Sequence, residues 1–312
     1  MILRHAYLST HPTVFRSMTG LRVAEFDALV RDLWPRYRAA EQARLSRPAR
    51  RRAIGAGHPF ELTLRDQLLL TVVWLRLYPT HEVLGYLFAV SDTTAGRTIT
   101  RLLPLLEAAG LDSMRLPDPG RKHRRHLDDL LADTPDLVIL IDTFEQRVQR
   151  PRDRSAADAL YSGKKKQHTL KSQVATDEIT GKVVDVPDSV PGPTADITLV
   201  EQSGVLARLP DGVGAAGDLG YVGLDKLHAQ GVMPRRKPRG QARPPADREY
   251  NRAFARRRVG VEHTIGRMRR YQALAQTDRH HRRHHTARVR AVAGLVNRQL
   301  ERLVPYRERL AS

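Results

Sequence analysis

The sequence predicts a mixed α/β protein, in which an N-terminal all-α region containing a helix-turn-helix precedes a domain built on a mixed sheet with flanking helices. Three observations carry this prediction. Between residues 21 and 112 apolar side chains recur at helical spacing, and cap residues punctuate them. After residue 135, short runs rich in Val and Ile alternate with helical segments. The 312 residues, 41% hydrophobic and 28% charged, are enough to bury a core and to divide into two folding units.

Residues 21–45 place Val23, Phe26, Leu29, Val30 and Leu33 on one helical stripe, with Pro35 inside it, so either two short helices or one kinked helix is expected. The run RPARRRAIGAGHP is a connector, either solvated or a basic arm against DNA. From Leu62 three helices follow. Thr63 with Asp66 marks the first start, and Leu68, Leu69, Val72, Val73 and Leu75 give it a buried body. Thr80 starts the second, which runs through Phe88. Ala89, Val90 and Ser91 form a tight turn, and Ser91 or Asp92 starts the third. That last helix is predicted to bury Ile99, Leu102, Leu103 and Leu106 and to present Thr93, Thr94, Arg97, Thr100 and Arg101 to phosphates and base edges. The same spacing also suits an ordinary three-helix packing unit. RLPDPGRKHRRHLDD then separates the two halves.

In the second half, DLVILID is a buried strand that ends in Asp142, and QRVQR, QHTLKSQVAT and KVVDVP continue as strands. Residues 194–207 form a helix, VGAAGDLGY a strand and turn, GLDKLHAQG a short helix and GVMPRRKP another strand. A long basic helix spans about residues 246–272. The expected divisions are 1–54 (helical region and basic linker), 55–112 (helix-turn-helix), 113–134 (linker), 135–275 (mixed-sheet domain with flanking helices) and 276–312 (basic helical tail). His280, His281, His284 and His285 are expected on a solvated loop, with contact to nucleic acid as the alternative.

Charge is unevenly distributed. Of the net +19, +16 falls from Gly231 onward, where 22 basic side chains face 6 acidic ones. A clustered basic surface gains by releasing counterions from a polyanion, which points to nucleic acid. No apolar run approaches a bilayer span, so no membrane partner is expected. The N-terminus lacks a signal-peptide pattern, which suggests a cytoplasmic protein, nucleoid-associated through DNA. Cysteine is absent, so disulfides, thiolate ligands and cysteine nucleophiles are excluded.

Against this basic background, three acids are candidates for chemistry. Glu262 lies among arginines, with Arg258 four residues before it and Arg269 seven after, all on one helical face. It is either an ion-pair partner or a functional carboxylate. Asp142 is either a polar strand end or a carboxylate presented to a crevice. Asp218, in AGDLGYVG, is either an Asx-type turn or a ligand beside small residues, with Tyr221 able to pack or stack. Three acids from separate elements suit phosphoryl transfer assisted by divalent metal. Mg2+ keeps several waters and needs few protein oxygens, and two ions about 4 Å apart stabilise both the entering and the leaving oxygen. Lys164, Lys165, Lys166, His168 and Lys171 form either a DNA-backbone clamp or an exposed charged strand face. Arg258 and Arg269 either bind phosphate or pair with carboxylates. Asp196 begins a helix, as its cap rather than as a fourth ligand.

The order of these motifs resembles the IS5 family of transposases in the DDE superfamily. LLLTVVWLRLYPTHEVLGYLFAVSDTTAGRTITRLLPLL resembles that family's helix-turn-helix. QRPRD, YSGKKKQHTLKSQVATDEITGKVVDV, GPTADITLVEQSG, GDLGYVGL and YNRAFARRRVGVEHTIGRMRRYQAL follow collinearly through almost the whole chain. The resemblance implies an RNase H-like catalytic domain over 135–275, with Asp142, Asp218 and Glu262 as a catalytic, metal-binding triad flanked by Arg258 and Arg269. It implies two Mg2+ ions, with Mn2+ as a substitute, and double-stranded DNA as partner, both terminal inverted repeats and target. A homo-oligomer on DNA is expected. Where the family carries Gly-Thr after its first aspartate this chain has Thr143 and Phe144; Leu219 replaces a lysine, and Ala255 a tyrosine. A noncatalytic, domesticated DNA-binding regulator and a nuclease without strand transfer are the alternative functions.

Overall fold

Helix boundaries in the first half are set by local backbone chemistry. Helix α1 (His5–Leu8) and α2 (Pro12–Thr19) come first, and α2 opens on proline and closes on Gly20 in the left-handed conformation. Helix α3 (Val23–Leu45) runs unbroken through Pro35. Pro35 and Arg31 are both exposed, so the carbonyl that loses its helical partner faces water. Thr63, Thr80 and Ser91 each accept a backbone N–H three residues on and start α4 (Leu64–Leu77), α5 (His81–Phe88) and α6 (Asp92–Asp112), as predicted. The turn between α5 and α6 is tight because Gly85 leaves room: a Cβ there would stand 2.6 Å from the Val90 carbonyl oxygen. Helix α4 is buried from Asp66 to Leu75 and forms the centre of the helical half. This computed structural model describes residues 2–46, 60–120 and 129–304. The predicted basic arm at 47–59 and the KHRRH run lie outside the described residues.

The second half is built on a seven-stranded mixed sheet. It comprises β1 (Leu137–Arg147), α7 (Arg154–Leu160), β2 (Tyr161–Ser162), β3 (Gln167–Asp177), β4 (Val183–Asp185) and β5 (Val190–Pro191). These are followed by α8 (Asp196–Ser203), β6 (Val213–Ala216), α9 (Leu224–Leu227), β7 (Gly231–Val232), α10 (Pro245–Met268), α11 (Gln272–Ala275) and α12 (His285–Glu301). The path β2-β3-β1-β6-β7 is antiparallel from β2 to β1 and parallel from β1 to β7, while β4 and β5 pair with β3. Both faces of β1 are covered, which explains its continuous apolar run. Val138, Leu140 and Phe144 join the core beneath α10 and α12; Leu137, Ile139 and Ile141 join a second core with Val200, Tyr221 and Leu224. An all-α region with a helix-turn-helix followed by a mixed α/β domain of RNase H-like kind is the fold class the sequence predicts. The details differ in places. QRVQR is not a separate strand, because β1 continues through Arg147, and the run after Gly231 pairs only at Gly231 and Val232.

The expected tail is a core helix over His285–Glu301. Helix α12 lies against α6, α10 and β4, and its Val289, Val292, Leu295, Val296 and Leu300 are buried in the same cluster as α4 and α6. Helices α6 and α12 cross with their backbones in contact. A Cβ on Gly294 would stand 2.4 Å from Gly110 Cα, and one on Gly110 would stand 2.4 Å from the Arg290 carbonyl oxygen. Beside the crossing, Asn297 accepts the Val183 N–H at 2.7 Å and donates to the Val183 carbonyl at 2.8 Å and to Ser113 Oγ at 3.2 Å. One amide therefore ties strand β4 to the end of α6. Gly294→Val is expected to lower stability by about 2–3 kcal/mol, because rigid backbone on the opposite helix cannot yield to the added methyl groups. A denaturant midpoint unchanged from wild type would show that the two helices can separate freely.

Candidate active site

The three candidate acids come from three elements that the sheet brings together. Asp142 does not close its strand, as the sequence suggested; it sits in mid-β1, with β1 running on to Arg147. Parallel pairing aligns Leu140 with Ala216 at the end of β6, so continuing that register sets Asp142 beside Asp218. Helix α10 crosses the same face. A Cβ on Gly260 would lie 3.3 Å from Leu140 Cδ1, and from the same helix the charge of the exposed Glu262 reaches Asp142.

Asp142 is half-buried and accepts the Thr143 N–H at 2.8 Å, while Arg258 Nη2 stands 3.8 Å from its other oxygen. Burial raises its pKa to about 6; the Thr143 N–H and Arg258 oppose the rise, and the charges of Asp218 and Glu262 add to it. Asp218 and Glu262 therefore both lie within electrostatic reach of Asp142. Asp218 accepts the Gly220 N–H at 2.8 Å, so it makes the Asx-type turn and still faces the acids. Glu262 is exposed and has no hydrogen bond or ion pair among the described residues. No three His, Asp or Glu side chains among the described residues close into a ready-made cage for one ion.

Asp196 joins this group through a route the sequence did not reveal. It is the first residue of α8 and caps nothing. Its Oδ1 accepts from Lys171 Nζ at 2.8 Å and from the Thr143 hydroxyl at 3.0 Å. Its Oδ2 lies 2.6 Å from where a Gly220 Cβ would be, and Asp218 Oδ1 lies 3.0 Å from the same point. Thr143 and Gly220 are the residues whose N–H groups hold Asp142 and Asp218, so Asp196 braces both. Tyr221 neither stacks nor shows; it is buried against Gly217, its hydroxyl has no protein partner, and burial together with Asp196, Asp142 and Asp218 pushes its pKa up. Asp196→Ala is expected to lose about 2–3 kcal/mol by stranding the Lys171 ammonium, with Asp196→Asn intermediate because it keeps an acceptor. Thermal melts of the two variants check this.

The residues expected at DNA divide into an outward and an inward set. Thr93, Arg97 and Thr100 are exposed on α6; Thr94 is half-buried and bonded to Ser91, whose side chain caps the helix. Arg101 turns inward instead, donating to Gln67 Oε1 at 2.9 Å with its guanidinium over the Phe60 ring at 4.1 Å, where burial lowers its pKa. Lys164, Lys165 and Lys166 are exposed on the turn between β2 and β3, not along a strand face. Lys164, Lys165 and the exposed Arg269 line one groove of about 470 Å3 with Thr143 and Asp196. His168 is half-buried against Tyr161, and Lys171 is buried on Asp196 and the Thr194 carbonyl, so neither is a free backbone clamp. Arg258 is buried too, with its Nε unpartnered beside Asp142. The departures Leu219 and Ala255 are exposed, and Phe144 is in the core. The His cluster is not a solvated loop throughout, since His280 packs edge-on to Trp74 and Tyr78 and His285 is buried between Ser189 and Gln146.

Comparison with known proteins agrees with this layout. Residues 141–297 match the family described as DDE superfamily endonuclease, and residues 60–111 match the helix-turn-helix of DDE superfamily endonuclease. The first match runs into α12, to residue 297, past the boundary expected at residue 275. The chain is 26% identical over 286 residues to a Microchaete diplosiphon protein described as a transposase for insertion sequence element IS702, covering 92% of this chain and 94% of that one. It is 29% identical over 223 residues to a Streptomyces albus G protein described as a transposase for insertion sequence element IS112, covering 71% and 75%. With a family match over half of its length and a matched helix-turn-helix ahead of it, the chain belongs to the DDE superfamily endonuclease family.

Proposed function

We propose that this chain is the transposase of an insertion sequence of the IS5 group, which binds the terminal inverted repeats through α5 and α6 and cuts and rejoins DNA at Asp142, Asp218 and Glu262. Its main support is the electrostatic action of Asp218 and Glu262 on the half-buried Asp142, next to a groove that carries Lys164, Lys165 and Arg269. The donor set fits divalent metal. Asp142 resists ionisation where it is half-buried, the charges of Asp218 and Glu262 add to that resistance, and a divalent cation would relieve it. The lack of a closed cage also suits Mg2+, which keeps its waters and shares the substrate's phosphate oxygens.

Asp142, Asp218 and Glu262 would hold two Mg2+ ions, or Mn2+ in their place; bound there, the ions would activate the attacking oxygen and stabilise the leaving one. The chain's own residues do the rest. Lys164, Lys165 and Arg269 bind the strand's phosphates along the groove, Thr143 and Gly220 fix the two aspartates, and Arg258 balances charge at Asp142. Water attacks the end phosphodiester and leaves a 5′-phosphate and a free 3′-hydroxyl; that hydroxyl then attacks a target phosphodiester and displaces the target's own 3′-hydroxyl, with no covalent enzyme intermediate. The protein acts as a homo-oligomer on paired ends.

The test is incubation of the purified chain with labelled DNA carrying its element's ends and Mg2+, reading nicked, excised and joined DNA. Joined product is expected. Ends that are bound but uncut in both Mg2+ and Mn2+ would make the chain a DNA-binding regulator, and cleavage without joining would make it a nuclease.

A further inference from the structure

The His/Arg segment after residue 279 lies far from the helix-turn-helix in sequence and next to it in space. A cavity of about 500 Å3 is lined on one side by Gly96, Ile99 and Thr100 of α6 and on the other by Arg282, Arg283 and His284. The segment is fixed in place. His280 packs edge-on to Trp74 and Tyr78 and stacks on His81 at 5.4 Å. Arg279 lies over the Tyr78 ring at 4.4 Å and donates to the Tyr78 carbonyl oxygen, and beneath them Asp278 and Arg288 form a buried ion pair. His281 Nδ1 accepts the Arg283 N–H at 3.3 Å and caps the short turn. Burial holds His280 and His285 neutral, with pKa about 4, so these rings serve as packing.

What the pinned segment turns outward is charge. Arg282 and Arg283 are exposed, and neither has an ion pair among the described residues; the Arg283 side chain donates to His284 Nε2 at 3.0 Å. The nearby acids Glu107 and Asp188 are both taken by Arg290, at 3.1 and 3.0 Å. Exposed Arg97 and Thr100 continue the same face along α6.

We infer that Arg282 and Arg283 bind the DNA backbone beside the segment read by α6, so that the α/β domain completes the helix-turn-helix footprint. This rests on the reading of α5 and α6 as the DNA-binding element. With that helix in the major groove, the two guanidiniums meet phosphates of the flanking strand and hold the duplex in register without reading its sequence. The backbone that carries them needs little ordering on binding, because His280 and the Asp278 ion pair already hold it.

The experiment measures affinity of the full-length protein for end DNA and for random duplex across salt concentrations. Arg282→Ala with Arg283→Ala is expected to weaken both duplexes by the same factor, on the order of tenfold or more, and to reduce the log–log salt slope by about 2. Arg282→Lys with Arg283→Lys should recover most of the affinity, and melting temperatures should match wild type because both side chains are exposed. Arg97→Ala is the separate check on α6: its effect should be a loss of preference for end DNA. An unchanged salt slope in the double alanine variant overturns the inference even where Arg97→Ala behaves as expected, and so does a loss confined to end DNA. Unaltered preference in Arg97→Ala overturns the reading of α6 instead.

Discussion

Asp142→Asn is expected to abolish DNA cleavage and, in the same protein, to raise the melting temperature of the metal-free form. The first effect follows from removing a charged oxygen from the proposed metal-binding set, with a loss on the order of 10³-fold or more. The second follows from the environment of Asp142. Its pKa rises from 3.8 to about 6 on folding, chiefly through burial and further through Asp218 and Glu262. An acid whose folded pKa is raised binds its proton more tightly in the native state, so the contribution of Asp142 to stability is fully present below about pH 4 and is lost as pH climbs through 6. At pH 7.5 without metal the ionised carboxylate thus costs at most about 3 kcal/mol, less what the Arg258 contact and partial exposure return. The amide removes that cost while keeping an acceptor for the Thr143 N–H. Melts at pH 7.5 should show the variant several degrees above wild type, and the difference should vanish near pH 4. Added Mg2+ should stabilise wild type and leave the variant unmoved. A variant that melts below wild type in metal-free buffer at pH 7.5 would refute this account of the site.

Arg257→Ala should cause the largest stability loss of any single arginine replacement on α10. Arg257 is buried, donates to both oxygens of Glu178 at 2.8 and 2.9 Å, and reaches Thr134 Oγ1 and the Pro135 carbonyl, each at 2.6 Å. Its removal leaves a buried carboxylate without its main counter-charge, at a cost of about 3–5 kcal/mol. For a chain of this size that is a drop of about 10 °C in melting temperature. Because Arg257 fixes α10 to the end of β3 and the approach to β1, cleavage should fall as well, through displacement of Glu262. Replacing both partners with apolar residues, Arg257→Met with Glu178→Leu, should recover much of the stability. A melting temperature within 2 °C of wild type in Arg257→Ala would show that water reaches the pair.

Arg257 also marks where the sequence stops being informative. The run Arg256, Arg257, Arg258 reads as one basic patch, yet the helix sends the first to solvent and the other two inward. Which arginine is structural depends on Glu178, nearly 80 positions away, and no periodicity encodes that partner. Elements with local causes were legible: the caps at Thr63, Thr80 and Ser91, the buried stripe of α6, the apolar run of β1 and the long α10. Asp196 looked like a cap because it opens a helix; its partners Lys171 and Thr143 become visible only once β1, β3 and α8 meet. In the same way, apolar positions in α12 at helical spacing were masked by the arginines and histidines around them, so a core helix looked like a tail.

The crossing of Gly110 on Gly294 gives α6 a further significance. One end of that helix carries Thr93 and Arg97; the other is held backbone to backbone on α12, and Asn297 binds the adjoining strand. Its residues from Asp92 to Asp112 span about 30 Å, close to nine base-pair steps of B-form DNA. On the proposed function helix α6 would therefore serve as a gauge bar: its far end is locked to α12, so the interval between the base pairs it would touch and the bond to be cut would be a set length. Element ends whose spacing is off by half a turn of the duplex would present the wrong side of the strand to Asp142.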